Sequence, residues 1–295
     1  EFPSPMAVPE VQDKLDNAGE KYELSISQNN GTPATLNAIA SGEIDMGNAA
    51  FSSFPPAITQ NAVESGLTTI AMSFYDAHPD WFAIPVYAMK ESGIEATKDL
   101  EGKKIAVNAL GTGVHAIIYK QLQDKGVDPE NDVEFVEVPF PAMGSAMREG
   151  KVDAGIFPAT FAAQERAKGG ITTVFDSLDA FGEPYPFAFM AASNKALDEK
   201  EEAMRAWTAD YVQMTKYLYE NRDEMIAPIA KYFEIPEKAI DAYFLTHKDM
   251  YRPLDGHMDI EALQKVVDIL KNLGFIDEAP SMSDHVTNEY LPAYE

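Results

Sequence analysis

At 295 residues the chain is long for one compact domain and ample for two, and its 45% hydrophobic content suits a globular protein with a sizeable core. It has no cysteine, which excludes disulfide scaffolds, thiolate metal sites and cysteine nucleophiles, and no apolar run nears the roughly 20 residues that span a bilayer. A net charge of −25 argues against nucleic acid or an anionic membrane surface as partner, since both need clustered Lys and Arg, and it leaves any anionic ligand to local donors. The chain opens without a basic start and an apolar core, so no signal peptide is expected within it.

In chain order, the pattern predicts a strand over 24–27, a short helix over 35–41, a strand over 43–47 and a helix over 52–65. Ser52 or Ser53 would cap that last helix, with Pro55 in its first turn, where a missing N–H does no harm. A buried strand follows over 68–73, and residues 81–87 lead into the next section. There the predicted order is strand 104–108, helix 112–125, strand 133–138, helix 142–149 and strand 152–157. Strands alternating with helices imply parallel sheets covered on both faces. The last third carries apolar residues at helical spacing over 197–219, 222–233, 236–245 and 260–270. In the first of these, Met204, Trp207, Tyr211, Met214 and Leu218 share one face, the mark of core packing. From residue 277 onward the periodicity stops and the tail is expected along the surface.

The chain also repeats itself. Ala38-Ile39-Ala40-Ser41-Gly42-Glu43-Ile44-Asp45-Met46-Gly47 is echoed 108 residues later by Ala146-Met147-Arg148-Glu149-Gly150-Lys151-Val152-Asp153-Ala154-Gly155. Each copy reads as a short helix, a Gly suited to a left-handed cap and an entry into a strand. Asp45 and Asp153 fall where those strands begin, so a structural role suits their carboxylates better than a catalytic one. Two units on one plan, each near the usual domain size of ~100–150 residues, fit this better than one large sheet.

Three stretches carry a resemblance to a known family. They are Gly31-Thr32-Pro33 followed by Leu36 to Gly47; Asp99-Leu100-Glu101-Gly102-Lys103-Lys104-Ile105-Ala106-Val107-Asn108 followed by Gly111-Thr112-Gly113-Val114-His115; and Val136-Glu137-Val138-Pro139-Phe140 through Asp153-Ala154-Gly155-Ile156-Phe157-Pro158. In order and spacing the chain resembles the sulfonate and taurine receptors of ABC importers, in the superfamily shared with thiamine-pyrimidine-synthase-like proteins. The resemblance implies an α/β, two-lobed periplasmic-binding-protein type II fold, each lobe a mainly parallel sheet flanked by helices. Lobe one would hold residues 1–85 plus 187–295 and lobe two residues 86–186, with crossings near 84–87 and 186–188. It further implies a periplasmic or extracytoplasmic location, a membrane permease as partner, a small organic ligand in the cleft, a monomeric chain and no cofactor. Such receptors open with a β-strand before a Ser- and Pro-containing loop, whereas this chain begins Glu1-Phe2-Pro3-Ser4-Pro5.

Ligands of parallel α/β sheets sit outside the carboxyl ends of strands, where amides at helix starts are free. Asn108 to Gly113 lies at such a point: glycines let the backbone approach a ligand, and Thr112 either binds or caps. Asn48 to Ser53 is the matching point in lobe one, where Ser52 and Ser53 either donate to a ligand or cap their helix, and Phe51 is a candidate wall. Ser4 and Asn30 occupy the two other strand-end loops. Tyr75, Trp81, Phe140, Phe157, Phe161 and Tyr185 are candidate aromatic walls for a ligand with an apolar or aromatic body. His115 is either a satisfied structural histidine or a side chain aimed at the cleft. Few cations fall in these loops, so an anion would rely on amides and hydroxyls, with Arg148 or Arg252 as distant alternatives. No His pair has metal-ligand spacing, and Gly-x-Ser-x-Gly is absent.

The expectation is therefore an extracytoplasmic receptor of an ABC importer that captures a small organic anion, a sulfonate or an aromatic or aliphatic carboxylate, and is not an enzyme. The alternatives are a ligand-binding sensor domain, a pyrimidine-precursor-related enzyme, and a receptor of a tripartite transporter.

Overall fold

The computed structural model describes residues 4–29 and 31–293. Its strands are β1 (Met46–Ala50), β2 (Leu67–Asp76), β3 (Pro85–Met89), β4 (Lys104–Val107), β5 (Glu134–Glu137), β6 (Ala154–Ile156), β7 (Ile171–Asp176) and β8 (Tyr185–Ser193). The helices of the first half are α1 (Pro9–Gln12), α2 (Thr32–Ala40), α3 (Phe54–Thr59), α4 (Gly113–Asp124) and α5 (Phe140–Arg148). They are followed by α6 (Ala159–Lys168), α7 (Ser177–Phe181), α8 (Asn194–Glu199), α9 (Glu201–Glu220), α10 (Arg222–Tyr232), α11 (Glu237–Asp241) and α12 (Ile260–Asn272).

Two sheets organise these elements, one in the order β1-β8-β2 and one in the order β5-β4-β6-β3-β7. The chain leaves the first sheet after Asp76, enters the second at Pro85, leaves it after Asp176 and returns at Tyr185. The α/β class, with parallel pairs in a sheet flanked by helices, follows the sequence. Mainly parallel polarity, however, is confined to β4 with β5 and β4 with β6. β8 runs antiparallel to both β1 and β2, and β3 antiparallel to both β6 and β7. Each of these two strands follows a passage between the sheets and lies between two strands that run the other way.

β8 is the strand that sequence patterning passes over. It is flanked on both edges, Met46 facing Ala192 on one side and Leu67 facing Ser193 on the other, and nearly every residue is buried. A strand covered on both faces shows no alternation, so Tyr185 to Ser193 reads as a featureless apolar run. β7 and α6 were also not expected. The strand expected over 24–27 is absent: residues 23–29 form no ladder, and Ile26 is exposed. The strand expected over 43–47 begins three residues later, because Glu43 and Ile44 are still bonded back to Ala38 in the helix-ending turn. The helix over 52–65 shortens to α3.

The internal repeat is structural. α2 leads into β1 and α5 into β6, and both joining glycines are left-handed, Gly42 at φ +73° and Gly150 at φ +68°. Each turn closes with matching bonds, Gly42 N–H to Ile39 O and Glu43 N–H to Ala38 O in one, Gly150 N–H to Met147 O and Lys151 N–H to Ala146 O in the other. Asp45 pairs with Lys200, and Asp153 accepts the Lys104 N–H, so both carboxylates hold structure.

The C-terminal helices pack as their stripes imply, with Met204, Trp207, Met214 and Leu218 buried. Asp210, on the same helix and fully buried, accepts hydrogen bonds from the Asn17 backbone and side chain and from the Tyr22 hydroxyl, which fastens the N-terminal stretch to α9. The tail does more than lie along the surface. Met282 is fully buried, and the Thr69 N–H donates to His285 O at 2.8 Å while the Thr287 N–H donates to Thr69 O at 3.0 Å, so the tail occupies the outer edge of β2.

Phe189, in the middle of β8, is fully buried and meets the Phe54 ring edge-on at 5.1 Å. Phe189→Ala should cost about 3–5 kcal/mol in urea unfolding; a loss below about 1 kcal/mol would mean that β8 is not the central strand of this sheet.

Candidate ligand-binding site

A cleft with about 650 Å³ of empty space, part of it open to solvent, lies between the layers of the two sheets. From the first sheet and its helices come Gly31, Thr32, Asn48, Ala49, Ala50, Phe74, Phe187 and Ala188. From the second come Asn108, Thr112, Gly113, Val114, Phe140 and Pro158, with Ile84 from the passage between them.

Four helices begin at this space. α2 starts after Gly31, α4 after Thr112, α5 at Phe140 behind Pro139, and α6 behind Pro158; none of the four has a side-chain cap among the described residues. The local sequence explains this. Gly31, Pro139 and Pro158 have no cap to offer, and the Thr112 hydroxyl donates backward instead, to Ala109 O at 2.8 Å and Asn108 Oδ1 at 3.1 Å. Side-chain caps occur at α7, α8 and α12, from Asp176, Ser193 and Asp259, whereas α1, α3, α9, α10 and α11 are also uncapped, so the four starts are set apart by opening on one space and not by lacking a cap. A helix start presents free N–H groups and the positive end of the helix dipole. Pro33 and Pro141 take one N–H each from α2 and α5, and the Ala142 N–H is bonded to Pro139 O, so α4 and α6 offer the most donors and all four contribute their dipole ends, which favours an anion there. No Lys, Arg, His, Asp or Glu is among the described residues that line the cleft.

The polar side chains are few and specific. Asn48 Oδ1 is buried with no hydrogen-bond partner among the described residues, and its carboxamide can turn either its oxygen or its nitrogen to a ligand. Gly31 sits at φ +85°, and a Cβ built there would lie 3.6 Å from Asn108 Nδ2 and 3.8 Å from Thr112 Cγ2, so the starts of α2 and α4 face one another closely. The opposite part of the cleft is apolar. Phe187 stacks on Phe74 with centroids 5.3 Å apart, and Phe140 stacks on Phe161 at 5.6 Å.

Of the residues singled out in the sequence, Asn48, Asn108, Thr112, Gly113 and Phe140 line this cleft, and the other described ones lie elsewhere. The Ser52 and Ser53 hydroxyls both donate to Gly111 O, at 3.0 and 2.8 Å, and bond the turn after β1 to the turn before α4. Phe51 is fully buried behind Phe187 and against Tyr185, with centroids 5.6 and 5.2 Å away. Tyr185 is buried with its hydroxyl on Asp76, and Phe157 stacks on Tyr87 inside the second sheet's core. Trp81 packs away from the cleft, on His247, Tyr251 and Tyr219. Ser4 is exposed ahead of a 3-10 turn, and Asn30 lies outside the described residues. Arg148 is paired with Glu165 and Arg252 with Asp249.

His115 turns away from the cleft, its ring 4.4 Å from Phe135 and 5.1 Å from Phe275. Its Nδ1 accepts the Gly111 N–H at 3.0 Å, which puts the ring proton on Nε2, and burial lowers its pKa to about 4. It shapes the 108–112 turn as a neutral side chain.

Sequence reasoning missed Thr32, Phe74, Ile84, Val114, Pro158 and Phe187 as lining residues. One signal was available: Gly31-Thr32 repeats the Gly-Thr of Gly111-Thr112-Gly113, and the two pairs open the helices that face each other. The strand aromatics carried none, because a Phe in a strand reads the same beside a cleft as inside a core.

A family model for the NMT1-like family matches residues 4–233. The chain belongs to the NMT1-like family. Among solved structures, this NMT1-like protein is similar to the alkanesulfonate-binding protein SsuA from Xanthomonas axonopodis pv. citri bound to MOPS, with TM-score 0.76 and 18% identity over 96% of this chain and 94% of that one. The periplasmic aliphatic sulphonate binding protein SsuA from Escherichia coli gives 0.73 and 19%, over 96% and 88%. The periplasmic nitrate-binding protein NrtA from Synechocystis PCC 6803 gives 0.73 and 12%, over 97% and 83%. The desulfurization enzyme DSZB shares the fold more distantly, at TM-score 0.60 and 13% identity over 87% and 85%, so the fold alone does not separate binding from catalysis. No curated protein matches the chain in sequence. The resemblance seen in the motifs to sulfonate receptors and their relatives therefore holds at the level of family and fold.

A Cβ on Gly113 would lie 2.7 Å from Phe187 Cζ, and Phe51, Phe74 and Tyr185 stand around that ring. Gly113→Ala should therefore lose about 1–3 kcal/mol in thermal unfolding, with part of the loss recovered in Gly113→Ala/Phe187→Leu. An unchanged melting temperature for Gly113→Ala would separate Gly113 from the cleft's aromatic floor.

Proposed function

We propose that this NMT1-like protein is the extracytoplasmic solute-binding receptor of an ABC importer, and that its ligand is a small organic anion with an apolar or aromatic body. The observation that carries this reading is the convergence of four helix starts on a cleft with no charged side chain among its described lining residues. Those starts stabilise one negative group through N–H donors and helix dipoles. Asn48 and Asn108 orient it, and Phe74, Phe187 and Phe140 cover the rest of the molecule. No carboxylate among the described lining residues is there to pair with an ammonium, which favours a plain anion over a zwitterion. A sulfonate or a carboxylate fits this description.

Binding is favoured over catalysis for a chemical reason. Proton transfer and covalent catalysis draw on His, Asp, Glu, Lys or Cys, and the described lining offers only amide, threonine hydroxyl and apolar groups. In this reading the lobes follow the sequence division, residues 1–85 plus 187–295 and residues 86–186, except that Tyr185 and Pro186 of β8 go with the first sheet, and the chain works as a monomer. The lobes close on the ligand by population shift, and the permease reads the closed form. The Ser52 and Ser53 bonds to Gly111 span the lobes and belong to that form.

The test is a thermal-shift screen of ligand-stripped protein against small sulfonates, aromatic and aliphatic carboxylates, amino acids and thiamine precursors. At about 100 times its dissociation constant a true ligand adds roughly 2.7 kcal/mol, a shift of several degrees. Hits among apolar-bodied monoanions are expected. Hits confined to zwitterions or neutral molecules would overturn the ligand class, and silence across the panel would overturn the receptor reading.

A further inference from the structure

Residues 77–84 and 177–184 carry the chain between the sheets, and the ends of these two stretches meet at one buried carboxylate. Asp76, the last residue of β2, is fully buried. Its Oδ1 accepts the Ala77 N–H at 2.7 Å and the Ser177 hydroxyl at 2.8 Å, and its Oδ2 accepts the Tyr185 hydroxyl at 2.8 Å. The Ser177 Oγ in turn accepts the Ile84 N–H at 2.8 Å, and the Ser177 N–H donates to Ile84 O at 3.0 Å. Asp76 and Tyr185 are opposite one another in the first sheet. Ser177 follows directly on β7 of the second sheet, and Ile84 directly precedes β3. Within this network the Ser177–Asp76 bond is thus the link that crosses from one sheet to the other. Ala77 beside it holds φ +53°, a left-handed conformation unusual for a residue with a Cβ.

The titratable groups around Asp76 are Tyr185 on β8 and Asp176 at the start of α7, whose like charge opposes ionisation of Asp76. Asp176 faces Asp179 on its own helix, and Tyr87 on β3 feels both Asp176 and Arg166 of α6. Burial pushes the Asp76 carboxyl up to about 6, against the pull of its three hydrogen bonds.

We propose that Asp76 is a proton-operated clasp on the hinge between the lobes, taking up a proton as the cleft closes, so that acid surroundings favour the closed form. The clasp rests on the two-lobed receptor reading above. Rotation of one lobe against the other draws Ser177 away from Asp76 and lets water take its place. A hydrated carboxylate holds its proton less tightly than a buried one, so the open form releases the proton at a lower pH than the closed form. The state with the higher proton affinity gains as pH falls. From neutral pH down through about 6 the closed-to-open ratio therefore rises, by at most about tenfold per pH unit for one proton. When Asp76 is protonated, its O–H donates, and the Tyr185 or Ser177 hydroxyl rotates to accept it.

The chain has no cysteine, so Glu64→Cys and Glu149→Cys, both exposed and one in each lobe, give a clean pair for spin labels. Interlabel distances would be measured between pH 8 and pH 5 without added ligand. Two populations are expected, the shorter growing several-fold on acidification in the parent chain and staying at its acid level at every pH in Asp76→Asn. Tyr185→Phe removes a bond that favours the ionised carboxylate and should move the midpoint to higher pH, which decides the matter if Asp76→Asn does not fold. Two populations whose ratio ignores pH, or shifts equally in Asp76→Asn, would overturn the clasp and leave the receptor reading intact. One unchanging distance at every pH and with every compound of the ligand panel would overturn both.

Discussion

A helix start leaves backbone N–H groups without partners inside the helix, and something outside it must answer them. In this NMT1-like protein the starts of α2, α4, α5 and α6 all open onto one cleft, and no side chain among the described residues caps any of them. The rest of the molecule is arranged to keep those four starts in place. The parallel strands β4, β5 and β6 aim their carboxyl ends toward it, the repeated Gly42 and Gly150 turns close α2 and α5 in the same way, and His115 holds the turn that leads into α4.

For the anion proposed above, a cation in the cleft would be a simpler answer, and none is among the described residues that line it. Arg148 and Arg252, the cations nearest to candidacy in the sequence, are each committed to a buried carboxylate, Glu165 and Asp249. With a net charge of −25 the protein gives an anion no long-range attraction. Local dipoles and amides act over a few ångströms, so recognition depends on how closely the two sides approach. The bare backbone at Gly31 and Gly113 permits that approach: one lies against Asn108 and Thr112, the other against the Phe187 ring.

The same division between local and long-range order runs through the fold. Helices α4, α5, α9, α10 and α12 and strands β4, β5 and β6 lie within a few residues of where patterning puts them, because each is amphipathic or closed by a local turn. β8 is not recognisable in that way, since burial on both faces removes its alternation and its two neighbours come from residues more than a hundred positions earlier. The strand expected over 24–27 fails for the converse reason: it has the alternation but no ladder to join. In the cleft, Asn48, Asn108, Thr112, Gly113 and Phe140 were legible because they sit at strand ends and helix starts. Ser52 and Ser53 were legible only as hydroxyls near a helix start, and it is the position of Gly111 from the other sheet that occupies them.

By itself, then, the sequence determined the element types, the internal repeat, the acidity, the lack of thiol chemistry and the Gly-Thr helix starts, because these depend on short-range sterics, periodicity and composition. Tertiary structure alone decided that β8 lies between β1 and β2, that Phe74 and Phe187 rather than Trp81 wall the cleft, and that Asp76 is sealed between the two passages. Those outcomes depend on which distant surfaces meet, and on which polar groups lose water when they do.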